Sequence, residues 1–244
     1  KAVINESVKD FYMLSQKLQS RIFTFSSDKD ILINCNAKID SKSIQIITRE
    51  LNHTIKTNQL KELPGTHNKE NVAAAVLACL ALSADINDIQ KGLETFKNLP
   101  HRMEFIKTID GISFYNDSKG TNTDAVIRAI KCFEKNIILI LGGREKGTDF
   151  SLLVNDIQKS VKTIIAMGEC RTLIKDTFKN ICPVLEVHTM KEAVQTAFNK
   201  AFKDDAGEPA IVLLSPACAS FDMYKNYAHR GNDFVTLVNA LGNK

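Results

Sequence analysis

The sequence comprises 244 residues, of which 44% are hydrophobic and 25% are charged, as is ordinary for globular proteins. This composition argues against an intrinsically disordered chain, and the length suffices for one large domain or two smaller ones. The formal net charge is only +4, and the chain has no Trp. Because nucleic-acid binders concentrate basic residues on one face and stack bases on aromatic rings, we expect no nucleic-acid partner.

Neither a membrane span nor a disulfide framework is predicted. The longest apolar run, residues 72–82, is too short and too rich in Ala to cross a bilayer. The six cysteines lie far apart, form no C-x-x-C pair, and several are flanked by Val, Ile, Leu and Ala. Such cysteines are typical of small buried side chains in a reducing compartment. We therefore expect a soluble, cytoplasmic protein without a membrane partner.

The first hundred residues combine short β-like runs with helical segments. Strands are predicted at Arg21–Phe25, Ile31–Cys35, Ile44–Thr48 and His53–Thr57. Helices are predicted at Ser7–Leu18, Asn68–Leu82 and Ile86–Phe96, the last with Asp85 as its N-cap. Residues 1–5 have the character of a mid-strand segment, which indicates that the sequence begins partway through a domain. Pro100 follows the third helix, so we place a domain boundary between residues 99 and 100.

From residue 100 onward, strands and helices alternate. Asp110-Gly111 predicts a two-residue hairpin turn between strands at Phe105–Ile109 and Ile112–Asn116. Further strands are predicted at Asn136–Leu141, Thr163–Met167, Val184–Val187 and Ala210–Leu214. Helices are predicted at Asp124–Phe133, Phe150–Ser160, Cys170–Lys179, Met190–Phe202 and Tyr224–Leu241. The uniformly apolar strands favour a parallel sheet covered on both faces, so we predict an α/β fold with a doubly wound, Rossmann-like domain.

The loops at the strand ends contain the residues best suited to binding. Ligands of doubly wound domains bind at the carboxyl ends of the strands. The predicted strands lead into residues 116–122, 142–148, 168–169 and 215–220. Three of these four loops are rich in small, hydroxyl and cationic residues. We therefore expect them to converge on one edge of the sheet.

Two of these loops admit both a binding and a purely structural interpretation. In the 116–122 loop, Lys119 and two hydroxyls precede a helix, where they could bind an anion or simply cap the helix. In the 142–148 loop, Gly142 and Gly147 have phosphate-loop spacing, but Thr148 stands where a Walker A motif requires Lys. Lys146 could still meet an anion there, or lie in a tight turn.

For the remaining candidate residues, residue chemistry alone also allows both a structural and a functional interpretation. Cys218 and Ser220 lack a G-x-S-x-G elbow, so a buried thiol and an anion pocket are favoured over nucleophilic catalysis. Asn68 and Asn71 could cap a helix or hydrogen-bond a nucleobase edge. Arg102 could be a structural residue at the hinge between the two domains, or its guanidinium could bind phosphate. No His, Cys, Asp or Glu cluster has metal-ligand spacing.

Taken together, the motifs resemble the Mur ligase family, and among its members those that add D-glutamate. The matching strings, in the family's order and spacing, are GTHNKEN (65–71), LPHRMEF (99–105), NDSKGTN (116–122), LGGREKGTDF (141–150) and LLSPACASFDMYKNYAHRG (213–231). The NDSKGTN and SPACASFD strings are specific to the D-glutamate-adding members. Residues 1–64 match only loosely.

The resemblance implies a reaction and a set of site residues. ATP would phosphorylate a carboxylate of UDP-N-acetylmuramoyl-L-alanine, and the amine of D-glutamate would attack the acyl phosphate, giving an amide during peptidoglycan precursor synthesis. ATP would be contacted by Asn68, Asn71, Arg102 and Asp117. D-glutamate would be held by Lys119, Thr121, Lys146, Ser220 and Tyr227, and by the backbone of Phe221. Lys119 and Lys146 would form the catalytic pair.

The resemblance also implies a domain organisation. Residues 1–99 would be the end of a central ATP-binding domain, and residues 100–244 an amino-acid-binding C-terminal domain. The family's N-terminal domain, its phosphate loop, its Mg²⁺ ligands and its modified lysine have no counterpart in the sequence. We therefore expect this chain to be a monomeric fragment that is inactive alone. The alternatives are a ligase for a different amino acid and a non-catalytic binding module formed by the second domain.

Overall fold

The computed structural model describes residues 1–28, 35–56, 63, 65–203 and 210–241. The chain divides into two compact units, Lys1–Lys97 and Asn98–Lys244. The division thus falls between residues 97 and 98, whereas the sequence led us to place a boundary between residues 99 and 100. In the described part of the chain, no helix is both long enough and apolar enough to cross a bilayer.

The described residues of unit 1 form one five-stranded sheet and three helices. Its strands, in the order in which they neighbour one another, are β1 (Ala2–Asn5), β2 (Ile22–Ser26), β3 (Ala37–Ile39), β4 (Ser43–Ile47) and β5 (Asn52–Lys56). The β1–β2 and β2–β3 pairs are parallel, and the β3–β4 and β4–β5 pairs are antiparallel. The helices are α1 (Phe11–Lys17), α2 (Thr66–Ala81) and α3 (Ile86–Thr95).

The core of unit 1 lies between the sheet and α2. Ile44, Ile46 and Ile55 of the sheet are fully buried with Val76 and Leu77 of the helix. This packing explains why the apolar 68–82 segment is helical, as predicted. Asp85 caps α3 as expected, because its side chain accepts a hydrogen bond from the backbone N–H of Asn87 at 2.8 Å.

Some elements of unit 1 differ from the prediction in their bounds, and one was not predicted. The predicted helix at 7–18 begins only at Phe11, because residues 6–10 form turns, and it has no buried residue. The short strand β3 was not predicted, since three residues with Lys38 at their centre give little periodicity. The predicted strand at Ile31–Cys35 lies, apart from Cys35, outside the described residues. The predicted strand at 53–57 is observed as β5, one residue earlier.

Unit 2 contains a six-stranded sheet of the predicted doubly wound type. Its strands are β6 (Glu104–Ile109), β7 (Ile112–Asn116), β8 (Ile137–Gly142), β9 (Val161–Met167), β10 (Val184–Glu186) and β11 (Ala210–Leu214). Their order across the sheet is β10-β9-β8-β11-β7-β6, and all neighbours are parallel except β6 with β7. The predicted hairpin turn is confirmed, with φ of 49° at Asp110 and 80° at Gly111.

Helices cover both faces of this sheet. They are α4 (Thr123–Ile130), α5 (Val154–Ser160), α6 (Arg171–Phe178), α7 (Met190–Lys203) and α8 (Tyr227–Ala240). In β8, Ile137 and Leu139 pack in the same core as residues of α4, α5 and α6, whereas Ile138 and Ile140 pack in the core that contains residues of α7 and α8. Both cores are buried, which accounts for the uniformly apolar strands.

Three helix boundaries in unit 2 differ from the prediction by three residues or more, and the first is the end of α4, which lies at Ile130 and not at Phe133. The predicted helix at 150–160 begins with a 3₁₀ turn, Phe150–Leu153, before α5 starts. The last helix begins at Tyr227 and not at Tyr224, because the side chain of Asn226 accepts a hydrogen bond from the backbone N–H of His229 at 2.8 Å and caps it there. These differences leave residues 221–226 in the loop region at the strand ends.

Candidate functional site

Three loops at the carboxyl ends of strands of unit 2 are joined to one another. We name them the β7 loop (116–122), the β8 loop (142–148) and the β11 loop (215–220). Three backbone hydrogen bonds link them: Ala217 N donates to Gly120 O at 2.9 Å, Gly142 N to Pro216 O at 2.9 Å, and Arg144 N to Ala219 O at 2.8 Å. The β11 loop therefore lies between the other two and is bonded to both.

The 168–169 turn also adjoins this set of loops. Cys170 N donates to Gly143 O at 3.1 Å, and Glu169 N donates to the carboxylate of Asp222 at 3.0 Å. Arg144 and Glu169 form an ion pair of 3.3 Å, with both side chains about half exposed. All four loops that the sequence placed at strand ends thus meet on one edge of the sheet.

Close packing explains two of the glycines in these loops. Gly143 has a φ of 144°, and a Cβ atom there would lie 2.3 Å from the carbonyl oxygen of Ala219. A Cβ atom on Gly120 would lie 2.4 Å from a carboxylate oxygen of Asp117. Neither position tolerates a larger side chain without movement of the loops.

A buried arginine ties the β7 loop to the β11 loop. Arg230 of α8 is only 2% exposed. Its Nε donates to Ser118 Oγ at 3.0 Å, one terminal nitrogen donates to Ser118 O at 2.9 Å, and both terminal nitrogens donate to Cys218 O at 3.2 Å. Burial lowers the pKa of Arg230 to about 10, so it stays charged at neutral pH.

Arg230 was not among the site residues predicted from the sequence. It stands inside the last matching string, but nothing in its local pattern distinguishes it from an exposed helical arginine. Only the packing of α8 against the strand ends buries it. The same packing places Ser118 Oγ within 2.8 Å of the carbonyl oxygen of Tyr227, to which it donates a hydrogen bond.

Asp117, expected at the ATP ribose, lies within the protein framework. Its carboxylate accepts hydrogen bonds from Ser215 Oγ at 2.7 Å and from Met103 N at 3.3 Å. Burial raises the pKa of Asp117 to about 6, and the Ser215 and Met103 hydrogen bonds and the charges of Arg102 and Arg230 oppose that rise. This carboxyl therefore titrates close to physiological pH.

Buried polar residues also hold the start of the β7 loop. The side-chain amide of Asn116 donates to Glu104 at 3.0 Å and lies 2.9 Å from His101 Nδ1. The carbonyl oxygen of His101 accepts a hydrogen bond from Lys119 N at 3.0 Å. Arg102 follows the buried His101 and is exposed, as a phosphate-binding side chain must be.

Two residues expected at D-glutamate contact each other. The Lys119 ammonium lies 4.0 Å from the ring centroid of Tyr227, a cation–π contact. The same tyrosine ring makes a T-shaped contact with the ring of His101, with 6.1 Å between ring centroids. Since Tyr227 opens α8 and Lys119 belongs to the β7 loop, this contact fixes where the lysine charge stands relative to the helix.

The other residues expected at D-glutamate differ in exposure. Lys146 is exposed in the β8 loop, whose turn is closed by Glu145, which accepts hydrogen bonds from the backbone N–H groups of Gly147 and Thr148 at 2.6 and 3.1 Å. Ser220 is buried and Thr121 is half-buried. Phe221 was expected to act through its backbone, and its side chain is 57% exposed.

The two remaining ATP candidates lie in unit 1. Asn68 and Asn71 are three residues apart near the start of α2, so they share one face of that helix. Asn68 is half-buried and Asn71 is exposed. Lys69 anchors this end of α2, because its ammonium donates to Ser41 O at 2.8 Å. Among the described residues of both units, no three His, Cys, Asp or Glu side chains are grouped to hold a metal ion.

Comparison with known proteins identifies the family that this chain matches. The family described as "Mur ligase, glutamate ligase domain" matches residues 101–218. A UDP-N-acetylmuramoylalanine–D-glutamate ligase from Desulfosudis oleivorans is 37% identical over 242 residues, covering 98% of this chain and 51% of the relative. A ligase of the same name from Cytophaga hutchinsonii is 37% identical over 236 residues, covering 96% of this chain and 50% of the relative.

Solved structures show the same fold at much lower identity. MurF from Acinetobacter baumannii gives a TM-score of 0.66 at 17% identity, over 96% of this chain and 51% of that one. Folylpolyglutamate synthase from Mycobacterium tuberculosis gives a TM-score of 0.65 at 10% identity, over 96% of this chain and 54% of that one. This chain spans about half the length of the curated relatives it matches. The chain belongs to the Mur ligase family.

Proposed function

We propose that this chain is the D-glutamate-binding part, with a share of the ATP site, of a ligase that joins D-glutamate to UDP-N-acetylmuramoyl-L-alanine. The relatives that match almost the whole chain carry that activity in their names. The observation that carries the proposal is the bonded set of β7, β8 and β11 loops, which holds four of the six residues expected at D-glutamate. Of the other two, Phe221 directly follows the β11 loop and Tyr227 contacts Lys119.

The loops offer the charges that a small diacid requires. D-glutamate has two carboxylates, and each needs its own cationic or hydroxyl partners. Lys119 and Lys146 stand on two different loops, which are both bonded to the β11 loop that carries Ser220. Each charge-assisted hydrogen bond contributes about 1.5–3 kcal/mol. Two such contacts on separate loops would bind a dicarboxylate in preference to an amino acid with one carboxylate.

Holding both carboxylates would leave the amine of D-glutamate available for the reaction. In the proposed reaction, a carboxylate of the precursor takes the γ-phosphoryl group of ATP and becomes an acyl phosphate. The deprotonated amine then attacks the acyl carbon, forming a tetrahedral intermediate that expels phosphate and leaves an amide. The contribution of Lys119, Thr121, Lys146 and Ser220 would be to position the amine, which lowers the entropic part of the barrier.

The ATP contacts are the second part of the proposal. Asn68 and Asn71 supply amide donors and acceptors on one helix face, as recognition of an adenine edge requires. Arg102 would bind phosphate and Asp117 the ribose, and unit 1 would be the end of an ATP-binding domain. The described residues offer no metal cluster, so no step involving Mg²⁺ is assigned to them. A cytoplasmic location and a monomeric state belong to the same proposal.

A binding experiment on the chain tests the substrate assignment. Calorimetric titration with D-glutamate, L-glutamate, glycine and L-lysine is expected to show the tightest binding for D-glutamate, together with shifts of the Lys119 and Ser220 amide signals in NMR spectra. Equal or tighter binding of L-lysine or glycine would assign the site to a ligase for another amino acid.

A hybrid protein tests catalysis. In it, this chain replaces the matching half of the Desulfosudis oleivorans relative. We expect phosphate release from ATP that requires both D-glutamate and UDP-N-acetylmuramoyl-L-alanine, with the unaltered relative as the control. A hybrid that binds D-glutamate and ATP as tightly as the relative but releases no phosphate would favour a non-catalytic binding module.

A further inference from the structure

Two thiols that the proposed reaction does not use meet beside the site loops. Cys170 follows the 168–169 turn at the start of α6, and Cys218 lies in the β11 loop. Their Sγ atoms are 3.6 Å apart in a hydrogen bond. Both thiols are free and buried, at 2% and 0% exposure. They lie 48 residues apart in the sequence, so only the fold of unit 2 brings them together.

The two thiols are not chemically equivalent. The hydrogen bond from the Cys218 thiol lowers the pKa of Cys170, against the opposing effects of burial and of the nearby acids Glu145, Asp222 and Glu169. The same hydrogen bond and burial raise the pKa of Cys218. Cys170 is therefore the thiol of the pair that ionises first, and the thiolate is the form that attacks peroxides and disulfides.

We propose that Cys170 and Cys218 form an oxidisable pair that closes to an intramolecular disulfide when the protein meets a peroxide. In the first step, the Cys170 thiolate attacks hydrogen peroxide, the O–O bond breaks, and Cys170 becomes a sulfenic acid as hydroxide leaves. In the second step, the Cys218 sulfur attacks the Cys170 sulfur, the S–O bond breaks, and water is released. Overall, two thiols lose two electrons and two protons, and one peroxide becomes two waters.

The bond would change the loop that carries Ser220. A disulfide holds its sulfurs about 2 Å apart, so the Sγ atoms of Cys170 and Cys218 must approach by roughly 1.6 Å. The carbonyl oxygen of Cys218 accepts hydrogen bonds from Arg230, and the next carbonyl, of Ala219, accepts one from Arg144. Movement of Cys218 therefore disturbs the bonds that set the β11 loop. The consequence for D-glutamate rests on the proposed function, whereas the disulfide itself does not.

Peptide mass spectrometry tests the disulfide directly. The protein is treated with hydrogen peroxide, alkylated under denaturing conditions, and digested with trypsin without reduction. Cleavage after Lys and Arg gives peptides 163–171 and 204–225, each with a single cysteine. We expect them to appear as one cross-linked species that dithiothreitol separates. Cys170→Ser should abolish the species, while Cys79→Ser, which removes an exposed cysteine, should leave it unchanged.

The outcomes separate the two parts of the inference. If peroxide fully oxidises Cys79 while peptides 163–171 and 204–225 stay uncross-linked, the pair does not act as proposed. For the oxidised protein we expect D-glutamate binding at least tenfold weaker than for the reduced protein, restored by dithiothreitol. Unchanged binding in the cross-linked protein would overturn the effect on the loop. If the reduced protein also fails to bind D-glutamate, the proposed function fails, and the cross-link still decides the thiol chemistry.

Discussion

The β7 and β11 loops are built differently from the exposed part of the β8 loop. The first two are joined through the buried Arg230 and through the buried carboxyl of Asp117, which accepts a hydrogen bond from Ser215. Residues 144–147 of the β8 loop are exposed, and their turn is closed by their own Glu145. We call the bonded β7 and β11 loops the framework, and residues 144–147, which face solvent, the tip of the β8 loop. Substitutions in the framework should alter stability, and substitutions at the exposed tip should alter ligand binding alone.

Replacing Arg230 should have the largest effect. Arg230→Met keeps the apolar stem but removes every donor to Ser118 and Cys218, which leaves buried acceptors without partners. We expect the free energy of unfolding to fall by about 4 kcal/mol, as the loss of several buried hydrogen bonds implies. Urea denaturation measures this. Arg230→Lys, which keeps the charge but not the planar fork, should recover only part of the loss. A loss below about 1 kcal/mol for Arg230→Met would mean that the loops do not depend on it.

The pH dependence of the unfolding free energy tests the role of Asp117 in the framework. Its folded-state pKa of about 6 lies above the ordinary value of 3.8, so the folded state favours the protonated carboxyl. The stability that this group contributes is therefore full below about pH 4 and is lost as pH rises through 6. The difference in unfolding free energy between the wild type and Asp117→Asn should shrink by about 3 kcal/mol across that interval. A carboxyl ¹³C titration should show a midpoint near 6, and a midpoint at or below 4 would contradict the assignment.

The site also differs from one feature to another in how much of it could be predicted from the sequence. Apolar runs located the strands of unit 2, and parallel strands bring their carboxyl ends to one edge, so the meeting of the loops followed from local patterns. Glycine spacing offered a tight turn as one of two interpretations of the β8 loop. These features depend on neighbours in the chain, which a single sequence displays.

Features that depend on tertiary contacts could not be predicted from the sequence. The burial of Arg230 arises only when α8 packs against the strand ends, and the contact between Lys119 and Tyr227 joins residues more than a hundred positions apart. The start of α8 was misplaced because residues 224–226 have no strong helix-breaking pattern, and the Asn226 cap decided the boundary. The resemblance to the Mur ligases implied a ribose contact for Asp117, but nothing in the sequence indicated its hydrogen bonds to Ser215 and Met103.

Lys146 tests the exposed tip. Because its side chain is exposed, Lys146→Ala should leave the unfolding free energy within about 0.5 kcal/mol of the wild type. D-glutamate binding to the chain, or kcat/KM in the hybrid, should fall at least tenfold, which corresponds to about 1.4 kcal/mol. Lys159→Ala, at an exposed lysine of α5, is the matched control and should change neither quantity. Unchanged binding in Lys146→Ala would remove this lysine from the site.

The cap of α8 should give the smallest effect and shows whether framework and tip are coupled. Asn226→Ala removes the hydrogen bond that Asn226 accepts from His229 N, which should cost about 1 kcal/mol of unfolding free energy. Asp85→Ala removes the equivalent cap of α3 in unit 1 and should cost a similar amount. Only Asn226→Ala should also weaken D-glutamate binding, by a few-fold, because Tyr227 beside it positions the Lys119 ammonium. Equal binding by the two variants would show that the lysine keeps its place without the cap, and that stability of the framework and ligand affinity are set independently.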